Sequence, residues 1–171
     1  ETVMRTTGNS DTLTLTSTDA DANIGPNLLF YRNSSSPADA DQLGNVKFKG
    51  RNDNSEDVTY AEFVCQIKDA SDGTEDSRFG IFTMVAGTET SRFEALPTES
   101  VFNQNSADID FRVESNGNAN MLFVDGGNDH VNIGTATDLG GMFNVGGNGV
   151  FQNADQTDTL SLLNTDADAN V

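Results

Sequence analysis

Residues 61–68 read AEFVCQIK, and the alternation of apolar and polar side chains along them decides the fold class. In an extended strand every second side chain points to the same side. One side then carries Ala61, Phe63, Cys65 and Ile67, and the other carries Glu62, Gln66 and Lys68. The segment therefore predicts a β-strand with one apolar face and one solvated face.

The same two-residue period recurs on both sides of this segment. It is present in VKFK at residues 46–49, in DIDFRVE at 108–114 and in TLTLT at 12–16. Met121–Val124, His130–Ile133 and Met142–Val145 are further predicted strands, and Met121–Val124 is apolar on both faces. These patterns predict an all-β protein.

Short glycine-bearing segments separate the predicted strands. They lie at residues 71–73, 116–118, 125–128 and 146–149, the last of them before a further strand at Val150–Gln152. Their length and composition are typical of the turns of β-hairpins. A short helical turn is predicted only at residues 36–41, SPADAD.

The chain repeats its beginning at its end. Residues 9–24, NSDTLTLTSTDADANI, return as QTDTLSLLNTDADANV at residues 156–171, an offset of 147 residues with 10 of 16 positions identical. A repeat of this length that stops within its second copy indicates one module of a tandem array.

Composition divides the module into four parts. Residues 1–26 are predicted to be a β-strand connector at the start of the repeat, and residues 27–97, which hold most of the aromatic side chains, a globular β-domain. Residues 98–155, leaner and rich in Gly and Asn, are predicted to be a β-hairpin shaft segment, and residues 156–171 the start of the next copy.

Charge and hydrophobic content restrict the partners. The chain has 27 acidic residues against 9 Lys and Arg, a formal charge of −18, which argues against nucleic acid and against an anionic membrane. No apolar run is long enough to cross a bilayer. Leu, Ile, Val and Phe are scarce for a core of this size, so part of the burial is expected to come from other copies of the chain.

Cys65 is the only cysteine in the sequence. An intrachain disulfide is therefore impossible. Free cysteine is among the most buried residue types, so a buried, reduced thiol is predicted, and the alternative is a disulfide between two chains.

Two features suggest metal binding, each beside a plainer interpretation. Asp19, Asp21 and Asn23 have the spacing of the first oxygen ligands of a calcium loop, but Ile24 and Phe30 occupy positions where an EF-hand needs Gly and Glu. The alternative is a solvated turn in which Asp and Asn side chains cap their own backbone.

His130, the only histidine, follows Asp129 at a strand start. No Ser or Cys is placed by sequence to complete a catalytic triad with this pair. Three copies of His130 on a three-fold axis could bind a metal, and the alternative is an ordinary hairpin residue. With 27 acids, carboxylate pairs arise by chance and indicate no glycosidase. We therefore predict no enzyme activity and assign no catalytic, cofactor-binding or metal-binding residue.

The chain resembles the repeated shaft modules of bacteriophage tail fibres, especially those of phages that infect marine bacteria. The likeness lies in NLLFYRNSSSPADADQLGNVKFKGRNDNSEDVTYAEF, in DASDGTEDSRFGIFTMVAGTETSRFEA, and in NGNANMLFVDGGNDHVNIGTAT followed by MFNVGGNGVFQN. Together these segments cover most of residues 27–153. The resemblance implies a parallel, intertwined homotrimer on the virion, outside the cell, with a receptor-binding tip elsewhere.

The expected function is therefore that of an acidic virion structural protein, a tandem-repeat fibre module that positions a distal tip for host attachment. Its partners would be two sister chains and the neighbouring repeats. The alternative is a module of a phage or bacterial adhesin that binds a host cell-surface glycan or protein through the loops Asn33–Asp41 or Ser71–Asp76.

Overall fold

A computed structural model of the chain describes residues 2–149. The second copy of the repeat at 156–171, the predicted strand at Val150–Gln152 and the end of the predicted shaft segment lie outside the described residues. The described chain divides into two compact units. One holds the residues up to Glu89 together with Phe93–Val101, and the other holds Thr90–Arg92 and the described residues from Phe102 on.

The described residues contain β-strands and no helix, which confirms the all-β prediction. Five strands form the first sheet in chain order: β1 (Gln42–Arg51), β2 (Asp57–Asp69), β3 (Asp76–Val85), β4 (Thr88–Ala95) and β5 (Ser100–Phe102). Four shorter strands form the second sheet, also in chain order: β6 (Phe111–Val113), β7 (Leu122–Asp125), β8 (His130–Ile133) and β9 (Phe143–Val145).

Strand β2 contains the AEFVCQIK segment and is the longest strand, with antiparallel pairing to β1 on one edge and to β3 on the other. The predicted turn at residues 71–73 joins β2 to β3. Thr74 N donates to Ser71 O at 3.1 Å, and Gly73 has a φ of 86°. A positive φ is costly for residues with a Cβ, which explains the glycine at this position.

The strand predicted at residues 12–16 does not form within the single chain, since residues 2–41 contain no strand. A strand requires a partner for its backbone N–H and C=O groups, and the described chain offers none there. The helical turn predicted at 36–41 is also wrong. This segment is instead held against β2, where Ala40 N donates to Ile67 O at 2.9 Å and Ile67 N donates to Asp41 O at 2.8 Å.

The predicted strand at residues 108–114 is shorter than its alternation suggests, because only Phe111–Val113 pairs with β7. Ile109 N donates to Ala107 O in a tight local turn, and Gly126 N donates to the Asp110 carboxylate at 3.1 Å. The first half of the segment therefore directs its polar groups to a local turn and to the β7–β8 turn instead of to a strand ladder. Both predicted turns that flank β7, at 116–118 and 125–128, are present.

The last two strands pair in parallel, an arrangement that the sequence analysis did not foresee. Val131, Asn132 and Ile133 lie beside Phe143, Asn144 and Val145. Asn132 is 0% exposed, and its Oδ1 accepts a hydrogen bond of 2.7 Å from Nδ2 of Asn144. Asn144 also exchanges hydrogen bonds with the backbone of Gly141, which ties the connection between β8 and β9 to the ladder.

This buried asparagine pair yields a testable prediction. Replacing Asn144 by Ala removes the partner of a fully buried acceptor, which costs about 1–3 kcal/mol. We expect Asn144→Ala to lower the free energy of unfolding by that amount in urea titrations followed by circular dichroism at one fixed chain concentration. Asn148→Ala makes the same chemical change at an exposed loop position. Equal effects of the two substitutions would contradict a stabilising role for the pair.

Candidate functional surfaces

The two faces of the first sheet differ sharply in chemistry. Side chains of directly paired residues point to the same face of a sheet. The pairings of β1, β2 and β3 place the following uncharged side chains on one face, here called the aromatic face: Val46, Phe48, Ala61, Phe63, Cys65, Phe79 and Ile81. The other face carries Lys47, Glu62, Val64, Arg78 and Phe82.

The more buried face of the sheet is not the one that the alternation predicts. In the single chain, the face with Lys47, Glu62 and Arg78, here called the charged face, is more buried than the aromatic face. Val64 and Phe82 are two of the three buried apolar side chains of the described residues, and Glu62 and Glu94 are buried as well. On the aromatic face Phe48, Phe63 and Phe79 remain 52%, 38% and 43% exposed. The prediction that the face carrying Glu62 is the solvated one is therefore wrong for the isolated chain.

Ion pairs allow the charged face to be buried. Arg78 Nε lies 2.8 Å from Glu94 Oε2, and Lys47 Nζ lies 3.6 Å from Glu62 Oε2. The guanidinium of Arg78 is also 5.1 Å from the centre of the Phe82 ring, a distance at which a cation is attracted to an aromatic face. Burying a carboxylate is costly unless it is paired, so these contacts are a condition for the packing of this face.

The aromatic face contains a continuous row of rings. Phe48 and Phe63 meet edge to face with their centroids 5.8 Å apart, and Phe63 and Phe79 stack at 6.3 Å. Beside the row lies a hollow of about 350 Å³, lined by residues of β1 and β2, by Phe79 of β3 and by Phe30. Cys65 also lines this hollow and is only half-buried, so the prediction of a buried thiol is wrong.

A second hollow lies between the two loops that the sequence analysis associated with ligand binding. It has a volume of about 390 Å³ and is lined by Pro37 of the Asn33–Asp41 loop and by Glu75 and Asp76 of the Ser71–Asp76 loop. Leu43 and Ile67 provide apolar lining. A hydrogen bond of 2.9 Å from Ala70 N to Asp39 Oδ1 connects the two regions.

The Asp19–Asn23 segment forms the hydrogen bonds expected of a solvated turn in which Asp and Asn side chains cap their own backbone. Asn23 N donates to Asp21 Oδ1 at 2.8 Å, and Asn23 Nδ2 donates to Asp21 Oδ2 at 2.7 Å. Asp21 N in turn donates to Asp19 Oδ1. Across residues 2–149 no three His, Cys, Asp or Glu side chains are grouped so that they could hold a metal ion.

His130 lies beside a carboxylate that the sequence analysis missed. Its Nδ1 is 3.2 Å from Oδ1 of Asp138, in the connection between β8 and β9, whereas Asp129 is a turn residue with a φ of 59°. His130 also pairs across the β7–β8 hairpin with Asp125. The parallel pairing of β9 with β8 requires the intervening segment to return along the sheet, and sequence spacing did not reveal that return.

The β7–β8 turn is held by the side chain of Asp125. Its Oδ2 accepts from Asn128 Nδ2 at 3.0 Å, and its Oδ1 accepts from the backbone N–H groups of Gly127 and Asn128. The Asn128 side chain, the backbone donors and the nearby His130 hold the pKa of Asp125 below its ordinary value. In the first unit, hydrogen bonds from Ser71 and Thr74 lower the pKa of Asp69 in the same way.

The chain matches no protein-family model, and no curated protein matches it. No helix in the described part of the chain has the length and apolar character needed to cross a membrane.

The Asp125 turn gives a pH-dependent prediction. Because its folded-state pKa is depressed, Asp125 stabilises the fold above the unfolded-state pKa of about 4, and this contribution is lost as the pH falls through the folded value. Asn128→Ala removes the largest cause of the shift. We expect it to raise the pKa of Asp125 and to lower Tm at pH 7, with the gap to the wild-type protein closing toward pH 2.

Carboxyl ¹³C chemical shifts and thermal melts across this pH range measure the two effects. Asn148→Ala again provides the matched control, since it removes the same amide from an exposed loop. A gap between Asn128→Ala and the wild-type protein that stays constant with pH would show that the Asp125–Asn128 contact does not depend on the charge.

Proposed function

We propose that this chain is a structural module of a trimeric bacteriophage tail fibre, which extends the fibre and positions a distal receptor-binding tip for host attachment. The observation that carries the proposal is the large apolar surface that the single chain leaves without a partner. Within residues 2–149 only Val64, Phe82 and Phe123 are buried apolar side chains. Such a chain gains a sufficient core by association.

The first residues support the same conclusion. Residues 2–31 contain no strand, and their apolar side chains, including Leu13, Leu15 and Leu29, are exposed. Alternation of the TLTLT type is useful only if one face is covered and the backbone is paired. Sister chains would supply both the covering face and the strand partner, and the repeat at 156–171 would continue the same arrangement into the next module.

The mechanism is mechanical and involves no chemical reaction. Three chains would bury their apolar faces against one another, while the acidic loops would face the solvent outside the cell. Repetition at an offset of 147 residues would set the fibre length by the number of modules, because each module of a repeat array contacts mainly its neighbours.

The first test is the mass in solution of the 171-residue chain. Light scattering behind size exclusion should give three times 18.2 kDa, and chelation of calcium should leave this mass unchanged. Sedimentation velocity should show an elongated particle. A folded monomer would refute the fibre proposal.

A pair of variants tests whether the first residues join the assembly. Leu15→Asp places a charge on the apolar face of the TLTLT segment, and Thr14→Asp places the same charge on its polar face. In a lone chain both positions are exposed, so the two variants would behave alike. In the proposed trimer, Leu15→Asp should lower the melting temperature clearly more than Thr14→Asp.

The second candidate function is adhesion to a host glycan, favoured by the hollow between the Asn33–Asp41 and Ser71–Asp76 loops. Binding residues commonly lie on loops held by a rigid scaffold. The hollow combines apolar lining with carboxylates, a mixture suited to a sugar with polar and apolar faces.

Screening on an array of bacterial surface glycans tests this candidate. Ser77 is exposed and lines the hollow, so Ser77→Trp should block it and weaken binding of any captured glycan at least tenfold. Thr98→Trp adds the same ring at an exposed position away from the hollow and should leave binding unchanged. Capture that both variants retain would exclude the hollow as the site.

A further inference from the structure

We propose that the aromatic face of the first sheet is covered by a second copy of this chain, through the apolar segment Leu28–Tyr31 of that copy. The inference rests on the proposed fibre function and names the two surfaces that meet. It follows from three observations: the absence of charge on the face, the position of Phe30, and the exposure of the rest of its segment.

The absence of charge favours a second copy as the occupant. Each chain carries a formal charge of −18, so two copies repel wherever their acidic surfaces meet. The aromatic face carries no charged side chain from Gly44 to Phe48, from Ala61 to Ile67 or from Phe79 to Ile81. It is therefore a surface on which two copies can approach without bringing acidic side chains together.

The size of the surface fits the central part of an interface. Phe48, Phe63 and Phe79 are each exposed by 38–52%. A phenylalanine offers about 150–250 Å² for burial, so the three rings leave roughly 200–350 Å² of apolar area open. That is less than the ~800 Å² per partner of a standard interface, as expected for an apolar centre whose rim is formed by other residues.

Phe30 shows that the face accepts this segment. A Cβ placed on Gly44 would lie 3.2 Å from Cβ of Phe30, and Phe30 lines the hollow beside the ring row. Its neighbours in the same chain do not reach the face, because Leu28, Leu29 and Tyr31 are 61%, 81% and 74% exposed. The Leu28–Tyr31 segment is also uncharged, so it and the aromatic face are complementary surfaces that the described part of the chain leaves exposed.

Cys65 makes the proposal directly measurable. It lies on the aromatic face, where it pairs with Gly44 on one side and with Phe79 on the other. Cys65 is the only cysteine of the chain, so the rate at which the chain is alkylated reports whether this face is covered. A covering second copy is lost when dilution dissociates the assembly to monomers, which raises the rate, whereas covering by the same chain survives that dissociation.

The experiment compares iodoacetamide alkylation of the wild-type chain with three variants by mass spectrometry, with the rate in urea as the unprotected reference. Phe79→Ser alters the face, and Leu29→Ser alters the segment at its most exposed position. Leu139→Ser is the matched control, an exposed leucine of the second unit. We expect Cys65 of the wild type and of Leu139→Ser to be alkylated at least tenfold more slowly than Cys65 of Phe79→Ser and Leu29→Ser. Dilution that dissociates the wild-type assembly should raise the alkylation rate.

Several outcomes would overturn the inference. These are protection that persists after light scattering shows dissociation to monomers, a wild-type rate equal to that in urea, or protection that survives either Phe79→Ser or Leu29→Ser. Far-ultraviolet circular dichroism of each variant establishes that the sheet is retained. A trimer by mass with an unprotected Cys65 would refute this pairing and leave the fibre proposal intact. A dimer with a protected Cys65 would support the pairing and refute the trimeric fibre.

Discussion

The pairing of β2 with a strand on each of its edges is the constraint on which the rest of the first unit depends. Asp57–Asp69 satisfies its backbone through β1 and β3, and the register of these ladders decides which side chains share a face. A shift of one residue would move the Phe63 ring to the side of Glu62 and Arg78. The pairing therefore creates both the aromatic row and the ion-paired face.

The charged face is the one that the single chain buries, and this reversal links packing to function. A buried carboxylate must be paired, and the contact of Arg78 with Glu94 meets that condition. The aromatic face carries no charged side chain whose burial would be costly, and it nevertheless remains exposed to solvent. A protein that functions alone would be expected to bury its rings first, so the open row of phenylalanines is the observation behind the proposed contact with a second chain.

The second unit buries very few apolar side chains. Phe123 is its only buried apolar side chain among the described residues, and the Asn132–Asn144 pair occupies the positions that a larger core would fill with hydrocarbon. Parallel pairing of β8 with β9 places the Asn132 side chain beside the Asn144 side chain. Hydrogen bonds between the stacked amides and the Gly141 backbone fix the register that hydrophobic patterning would otherwise fix.

The sequence by itself determined the all-β class, the turns at residues 71–73, 116–118 and 125–128, and which side chains of residues 61–67 share a face, because strand periodicity and glycine-bearing turns are local properties. The alternation of residues 61–67 correctly placed Ala61, Phe63 and Cys65 together. The tertiary structure alone decided which face is buried, that residues 12–16 form no strand with any part of the described chain, and that His130 meets Asp138. Burial, strand pairing and ion pairing depend on groups from different parts of the chain. The pattern of residues along one segment does not encode which of those groups come into contact with it.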